Sequence, residues 1–387
     1  MRKVKLGVIG AGNMGTQYIK MILDGQTPEV ELVAAADRRG ERRDWLKANV
    51  PETVRIFQEG AELIASGLCQ AVMIVVPHYQ HPPLAMDAFD HGLHVLCDKP
   101  AGVYTKQVRE MNEAAARHPE LSFGIMFNQR TNCLYRKMHE MIASGEMGRL
   151  KRVNWIITDW FRSQYYYDSG AWRATWEGEG GGVLLNQCPH NLDLIQWICG
   201  MPSSVTAFLH EGKWHDIEVE DDVLAYLTYP GGATGVFITT TGDEPGTNRF
   251  EVSCEMGKLV CENGELTLHR NAQSDIAFSK TSKDGFAPPE CAVSSVETDG
   301  YSPHHVGVLN AFAANILRGE PLVVRGEEGI NGLMLSNAMH LSAWLQKPVD
   351  LPLDEDLFLA ELNKRRQSSR VKTGEGAVLN LEDSYGT

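Results

Sequence analysis

Two residues in this 387-residue sequence combine the chemistry and the setting to handle a proton and an oxygen: His190 and Lys99. His190 lies in GEGGGVLLNQCPHNLD, residues 178 to 193, where a glycine run leads into an apolar helical stretch. Pro189 suits the first helical position, because its fixed φ favours a helix start and its missing N–H would have been unpaired there anyway. His190 then falls in the first turn, where the positive helix end disfavours an imidazolium and keeps the ring neutral. A neutral imidazole can take a proton, which makes His190 the candidate general base. Lys99 lies in the run VLCDKPAG, residues 95 to 102, which ends a predicted strand at its carboxyl edge, where open α/β sheets bind their ligands. Its ammonium can hydrogen-bond a hydroxyl and stabilise a developing alkoxide. Alone, each has a plainer reading: a satisfied structural histidine and a surface lysine with a buried stem.

A third constellation speaks of phosphate. Gly10-Ala11-Gly12-Asn13-Met14-Gly15 supplies G-x-G-x-x-G directly after the apolar run KLGVI and before a helical pattern. The first glycine allows the tight turn, the second lets backbone approach a pyrophosphate, and the third lets helix pack on strand. The helix start offers backbone N–H groups to the phosphates. Asp37 ends the second strand, where a carboxylate can accept hydrogen bonds from the adenosine ribose and repels a 2'-phosphate. NAD is therefore expected rather than NADP. Arg38 and Arg39 pull the other way, because a guanidinium there can receive the phosphate or stack on adenine.

These residues need a frame. Runs 5 to 9, 31 to 36, 71 to 76, 94 to 97 and 121 to 127 read as buried strands, with helices near 13 to 24, 41 to 48, 80 to 91 and 105 to 118. That alternation predicts an α/β, Rossmann-type, doubly wound parallel sheet. From about 149 the texture changes: 153 to 158, 219 to 229, 233 to 241, 250 to 254 and 258 to 262 are strand-like and separated by turn signals. This predicts an α+β domain with a large, mainly antiparallel open sheet, followed by helices over 305 to 318 and 327 to 345. The expected units are 1–130 for the dinucleotide, 131–350 for substrate and oligomerisation, and 351–387 as a terminal helix and polar tail that wanders or wraps a neighbour. Residues 271 to 300 read as an insertion.

Composition narrows the class. A formal charge of -14 argues against a nucleic-acid or anionic-membrane partner, and 43% hydrophobic residues suit a folded globular chain. No apolar run approaches the ~20 residues of a membrane span, and the apolar stretch before the first glycines is too short for a signal peptide. A cytoplasmic protein is the expectation. The eight cysteines are scattered without a CxxC pair, as suits reduced thiols. Cys188 and His190 lack the further ligands that a metal site needs, so none is expected.

With the glycine fingerprint, the Asp98-Lys99-Pro100 strand end and the glycine run before His190 in this order, the chain resembles the glucose-fructose oxidoreductase, inositol dehydrogenase and MocA (Gfo/Idh/MocA) family over about residues 3 to 350. Asp98 stands for the family's usual glutamate. In Val76-Pro77-His78-Tyr79-Gln80-His81, only Pro77 and His81 keep the family's Thr-Pro-Asn-x-x-His. Phe127-Asn128-Gln129-Arg130 and Trp172-Arg173 match two further motifs. The resemblance implies that Gly10, Gly12, Asn13, Met14, Gly15, Asp37, Arg38, Pro77, His81, Lys99, Asn128, Trp172 and Arg173 hold NAD. It also implies that His190 lies beside the nicotinamide and the substrate carbon. Family members often carry aspartate four residues before this histidine; here it is Asn186, which adds no charge to raise the histidine's pKa and leaves the division of labour with Lys99 open. Family precedent for the Asn186 variant points to C3 of a sugar.

The implied activity is oxidation of a secondary alcohol of a sugar, glycoside or cyclitol. A second reading retains NAD through transient oxidation at C3, giving net glycoside cleavage or epimerisation. A third is a non-catalytic dinucleotide sensor. Asp193, one helical turn after His190, is expected to orient its ring or bind a substrate hydroxyl, or simply to favour the helix start. The aromatic segment 159 to 169, with Arg162 and Tyr165, suits a sugar-binding loop or an interface. Tyr301, His304 and His305 are candidates to close the pocket from another side. An antiparallel sheet with one uncovered face predicts a homodimer or homotetramer.

Overall fold

In the computed structural model, which describes residues 2–370 and residue 372, two sheets share one continuous apolar interior. The first sheet contains β1 (Val4–Ile9), β2 (Val30–Ala36), β3 (Arg55–Phe57), β4 (Ala71–Ile74), β5 (His94–Cys97) and β6 (Phe123–Ile125). Its order is β3-β2-β1-β4-β5-β6 and every pairing is parallel. Helices α1 (Asn13–Leu23), α2 (Gly40–Asn49), α3 (Gly60–Ala65), α4 (His81–Asp90) and α5 (Thr105–Ala116) connect these strands. The order reverses at β1 and β4, so the carboxyl ends of these two strands open the crevice in which such sheets bind ligands. Strand β3 and helix α3 were not expected, since Arg55-Ile56-Phe57 carries too little pattern to read.

After α6 (Cys133–Ala143) comes the second sheet. It contains β7 (Leu150–Ile157), β8 (Ser204–Glu211), β9 (Glu220–Thr228), β10 (Thr234–Thr240), β11 (Asn248–Cys254), β12 (Gly257–Glu262), β13 (Glu265–Asn271), β14 (Cys291–Ser295) and β15 (Val349–Asp350). Only β7 and β10 pair in parallel; the other neighbours in β14-β13-β12-β11-β7-β10-β9-β8-β15 are antiparallel. The helices are α7 (Gln164–Asp168), α8 (Pro189–Cys199), α9 (Asp275–Thr281), α10 (His304–Arg318), α11 (Gly329–Leu345) and α12 (Glu355–Gln367). The stretch read as an insertion is thus part of the sheet: β14 pairs with β13 through Thr267 to Asn271 and forms its edge. Tail residues beyond those described lie outside this account.

Alternation along β7 turns Val153, Trp155 and Ile157 inward, and Trp155 stacks on Phe250 of β11 with ring centroids 4.0 Å apart. Each such buried aromatic contributes about 1.5–3 kcal/mol through burial alone. Helix α11 packs on β8 of this sheet and against α8. Outside it, Phe208, Leu224 and Tyr226 stand exposed on β8 and β9. Helix α10 crosses the divide: Leu309 and Phe312 join the core that Leu6, Val8, Tyr18 and Ile19 form on one face of the first sheet. Asn337 of α11 pins the two halves by accepting the Thr105 N–H and donating to the Val103 carbonyl, each at 3.0 Å.

Candidate active site

The first loop is shaped by contacts that exclude side chains. A Cβ on Gly10, whose φ is +101°, would lie 2.1 Å from the Val75 carbonyl oxygen, and one on Gly15 would lie 1.9 Å from that of Gly10. Gly12 differs: a Cβ there would meet only Arg39 Nη2, at 3.7 Å. Protein packing does not account for that glycine, whereas a pyrophosphate passing close to the backbone does. Asn13 and Met14 open α1 beside this space. Asp37, buried just past β2, accepts the Ala11 N–H at 2.8 Å and the Arg39 N–H at 2.9 Å. Arg38 turns away from the crevice to Glu59 and is 71% exposed, so the guanidinium beside Asp37 and Gly12 belongs to Arg39.

Further along the sheet, Pro77 begins the short turn 78 to 80 that leads into α4. His81 does not present itself to a cofactor. Its ring is 1% exposed, and its two nitrogens lie 2.7 Å from the carbonyls of Pro100 and Val76, so it ties the ends of β5 and β4 together. Asn128, at the exit of β6, keeps a buried Oδ1 with no partner among the described residues, as suits a group reserved for a ligand. With the open space at Gly12 and the carboxylate at Asp37, these residues fit a dinucleotide.

The second half closes on this crevice through Lys99, whose Nζ donates to the Asn186 backbone carbonyl at 2.8 Å. His190 follows four residues later in the first turn of α8, half-buried, with the Phe127 ring edge-on at 5.8 Å between centroids. Its Nδ1 is buried without a partner among the described residues. Burial, then the nearby charge of Lys99, hold its pKa well below 6.5, so the ring is neutral near pH 7. The expected neutrality therefore has desolvation as its first cause. Burial also lowers the Lys99 pKa, while Asp98 and Glu179 work to raise it.

Asp193 is turned to another partner. Arg130 grips its carboxylate in a bidentate pair at 2.7 and 2.8 Å, and Gln196 adds a third donor. Arg130 also reaches Glu328 at 2.6 Å, which locks α8 to the exit of β6 and the start of α11. Breaking such a buried pair costs about 3–5 kcal/mol, so Asp193 is a brace beneath the histidine.

In the aromatic segment the neighbour of the expected residue enters the site. Tyr165 is 65% exposed, whereas the Tyr166 hydroxyl donates to Asn186 Oδ1 at 3.2 Å and accepts from Arg173 Nη1 at 2.8 Å and Gln187 Nε2 at 3.2 Å. Arg173 lies over the rings of Tyr166 and Trp172, and Arg162 over those of Tyr166 and Trp160. Trp172 in turn meets His78 edge-on at 5.7 Å. Tyr301 is 66% exposed, and its backbone is held by Arg136 of α6 at the carbonyl and by Asp299 at the N–H, so its side chain does not close the pocket. His305 does come near: its ring sits edge-on to Tyr18 at 5.6 Å, and burial pushes its pKa down to about 4. Glu179, unremarked in the sequence beyond its place in the glycine run, is buried between Ala174 and Asn186. Among the described residues no group of three His, Cys, Asp or Glu is arranged to hold a metal ion, and no helix is long and apolar enough to cross a membrane.

The parallel sheet and the glycine turn at its crevice define the class, a Rossmann-type dinucleotide-binding protein. Residues 4–124 match the model described as the oxidoreductase family with NAD-binding Rossmann fold, and residues 135–260 match the GFO/IDH/MocA C-terminal domain. The chain belongs to the Gfo/Idh/MocA family, and residues 4–124 form its NAD-binding Rossmann domain. It is 25% identical over 200 residues to the rhizopine catabolism protein MocA of Rhizobium meliloti, covering 52% of this chain and 58% of that one. The chain thus spans under two thirds of that relative's length. It is 24% identical over 359 residues to the myo-inositol 2-dehydrogenase of Thermotoga maritima, covering 90% and 98%. Among solved structures it is similar to the WlbA dehydrogenase of Bordetella pertussis in complex with NADH and UDP-GlcNAcA, with a TM-score of 0.76, 25% identity, and coverage of 92% and 99%.

Proposed function

We propose that this protein oxidises a secondary alcohol of a sugar, glycoside or cyclitol, with C3 the leading position on a sugar ring. NAD, when bound, supplies the hydride acceptor. His190, neutral and half-buried, takes the hydroxyl proton, and Lys99 donates a hydrogen bond to the oxygen as it becomes a carbonyl. The supporting observation is the bond from Lys99 Nζ to the Asn186 carbonyl, which carries the ammonium of the first half to the segment that bears His190. Tyr166, Asn186 and Gln187 make the adjoining wall polar, as hydroxyl recognition requires.

The test is incubation of purified protein with NAD and a panel of sugars, glycosides and cyclitols, followed at the NADH absorbance. NADH accumulation with one class is the expected result. Product release at constant absorbance would replace this reading with the retained-NAD one, and dinucleotide binding without any turnover would favour a sensor. The working units remain 1–130, 131–350 and 351–387, in a cytoplasmic protein. We further propose a homodimer or homotetramer built on the outer face of the second sheet, because Phe208, Leu224 and Tyr226 form an exposed apolar strip there. Light scattering on the purified chain measures the count.

A further inference from the structure

The glycine run before His190 contains one carboxylate, Glu179, which is 2% exposed. Each of its oxygens is met by an N–H. Oε2 accepts from the Ala174 backbone at 2.5 Å, and Oε1 accepts from the Asn186 side-chain amide. Neither partner nitrogen can accept a hydrogen bond; burial raises the Glu179 pKa, and the charge of Arg173 together with these two donors works to keep the carboxylate ionised. The opposite end of the Asn186 amide is fixed as well. Tyr166 receives protons from Arg173 and Gln187, and so has its own single proton to give to Asn186 Oδ1. The amide thus stands with its nitrogen toward Glu179. The backbone carbonyl of the same residue holds Lys99 Nζ.

We infer that Glu179 is a positioning residue, which fixes Asn186 and supplies the ammonium of Lys99 with a countercharge from the glycine-rich loop. The inference rests on the proposed oxidation and assigns the charge that Asn186 itself lacks. Two carboxylates, Asp98 and Glu179, and two guanidiniums, Arg162 and Arg173, face Lys99. The nearby rings of His78, His81, His190 and His305 are pushed toward neutrality by burial. Burial likewise pushes the Cys188 thiol up to about 12, so it carries no charge. Of the two carboxylates, Asp98 already takes the Tyr18 hydroxyl and the Lys99 backbone N–H, and only Glu179 reaches across from the second half. Removing its charge leaves the ammonium with one carboxylate against two guanidiniums.

Competitive acetic anhydride labelling, with the Lys99 peptide followed by mass spectrometry, reads the protonation of that amine without substrate or turnover. In Glu179→Gln the Lys99 midpoint should fall by about one pH unit, the scale of losing a nearby opposite charge. The alkaline limb of kcat/KM should move down with it. Glu179→Gln combined with Asn186→Asp, which returns a carboxylate to the contact between the two side chains, should restore both. Far-UV circular dichroism and thermal melting establish that the variants are folded. If Glu179→Gln does not fold, Glu179→Asp pulls the carboxylate back from Asn186 and should lower the midpoint in the same direction, by less. An unchanged Lys99 midpoint in a folded variant overturns the inference. A protein that labels as expected yet oxidises nothing in the panel would overturn the function and leave the countercharge standing.

Discussion

The two glycine-rich loops of this protein resemble one another on paper and do opposite things in space. In the first, residues 10 to 15, the flanking glycines pack on backbone carbonyls, but the middle one faces an opening that only Arg39 approaches. In the second, residues 178 to 182, the glycines lie against the protein itself. A Cβ on Gly178 would sit 2.5 Å from the Trp172 carbonyl oxygen, one on Gly180 2.3 Å from Val103, and one on Gly182 1.9 Å from the Glu220 carbonyl oxygen. One loop is small-sided to leave room for a ligand; the other is small-sided so that chain can press on chain. The pressed loop then carries Glu179, Asn186 and His190 to fixed places beneath the crevice that the open loop provides.

If that division holds, removing the chemistry of the second loop must leave the first intact. Replacing His190 with Ala should lower kcat by about two to four powers of ten, while NADH binding, followed by fluorescence titration, is unchanged. Lys99→Ala should cost as much in rate. The pH profile of kcat/KM separates the two residues. The imidazole works when neutral, so activity rises with pH through a pKa held below 6.5. The ammonium works when protonated, so activity falls as pH climbs through a pKa held below 10.5. The acid limb should vanish in His190→Ala; a persisting limb would assign the base elsewhere.

How much of this could be read from residues alone depended on how far apart the partners lie. The nucleotide turn was legible because strand, glycines and helix are contiguous, and His190 because Pro189 marks the helix start beside it. The spacing of Asp193 from His190 promises a shared task, whereas Arg130, 63 residues away, claims the carboxylate. The motif points His81 at a ligand, but its ring is buried between the carbonyls of Pro100 and Val76, to one of which its N–H donates. Of the adjacent tyrosines 165 and 166, the turn of α7 decides which points inward, and composition cannot. An acidic residue inside a glycine run was the available signal for Glu179, although its meaning appears only once Asn186 and Ala174 close on it. Strand β8 escaped notice because apolar Phe208 lies on the outer face and blurs the alternation.

The next effect in size falls on the pressed loop. Gly182 donates its N–H to Glu220 Oε2 at 2.9 Å, and Leu184 donates to Oε1 at 3.0 Å. His340 Nε2 lies 3.0 Å from the same carboxylate, close enough for an ion pair though off the line of a hydrogen bond. A methyl group on Gly182 must push the loop away from β9, and backbone on both sides cannot yield as a flexible side chain would. Gly182→Ala should destabilise the fold by about 1–3 kcal/mol, measured by denaturant melting. It should also slow turnover, since Asn186 and His190 hang from the displaced segment. Wild-type stability in this variant would break the contrast between the loops.

Gly12→Ala is the gentlest change and the sharpest test of the open loop. Its φ of -69° suits any residue, and its new methyl would meet nothing nearer than Arg39 Nη2 at 3.7 Å. Without ligand, stability should therefore stay within about 0.5 kcal/mol of the parent. A methyl in the path of the pyrophosphate is another matter: overpacking of about 1–3 kcal/mol would weaken NADH by roughly tenfold or more. Titration of both proteins with NADH, beside their melting curves, measures the two effects independently. An alanine protein that binds NADH as tightly as the parent would mean that the space at Gly12 is not where the phosphates pass.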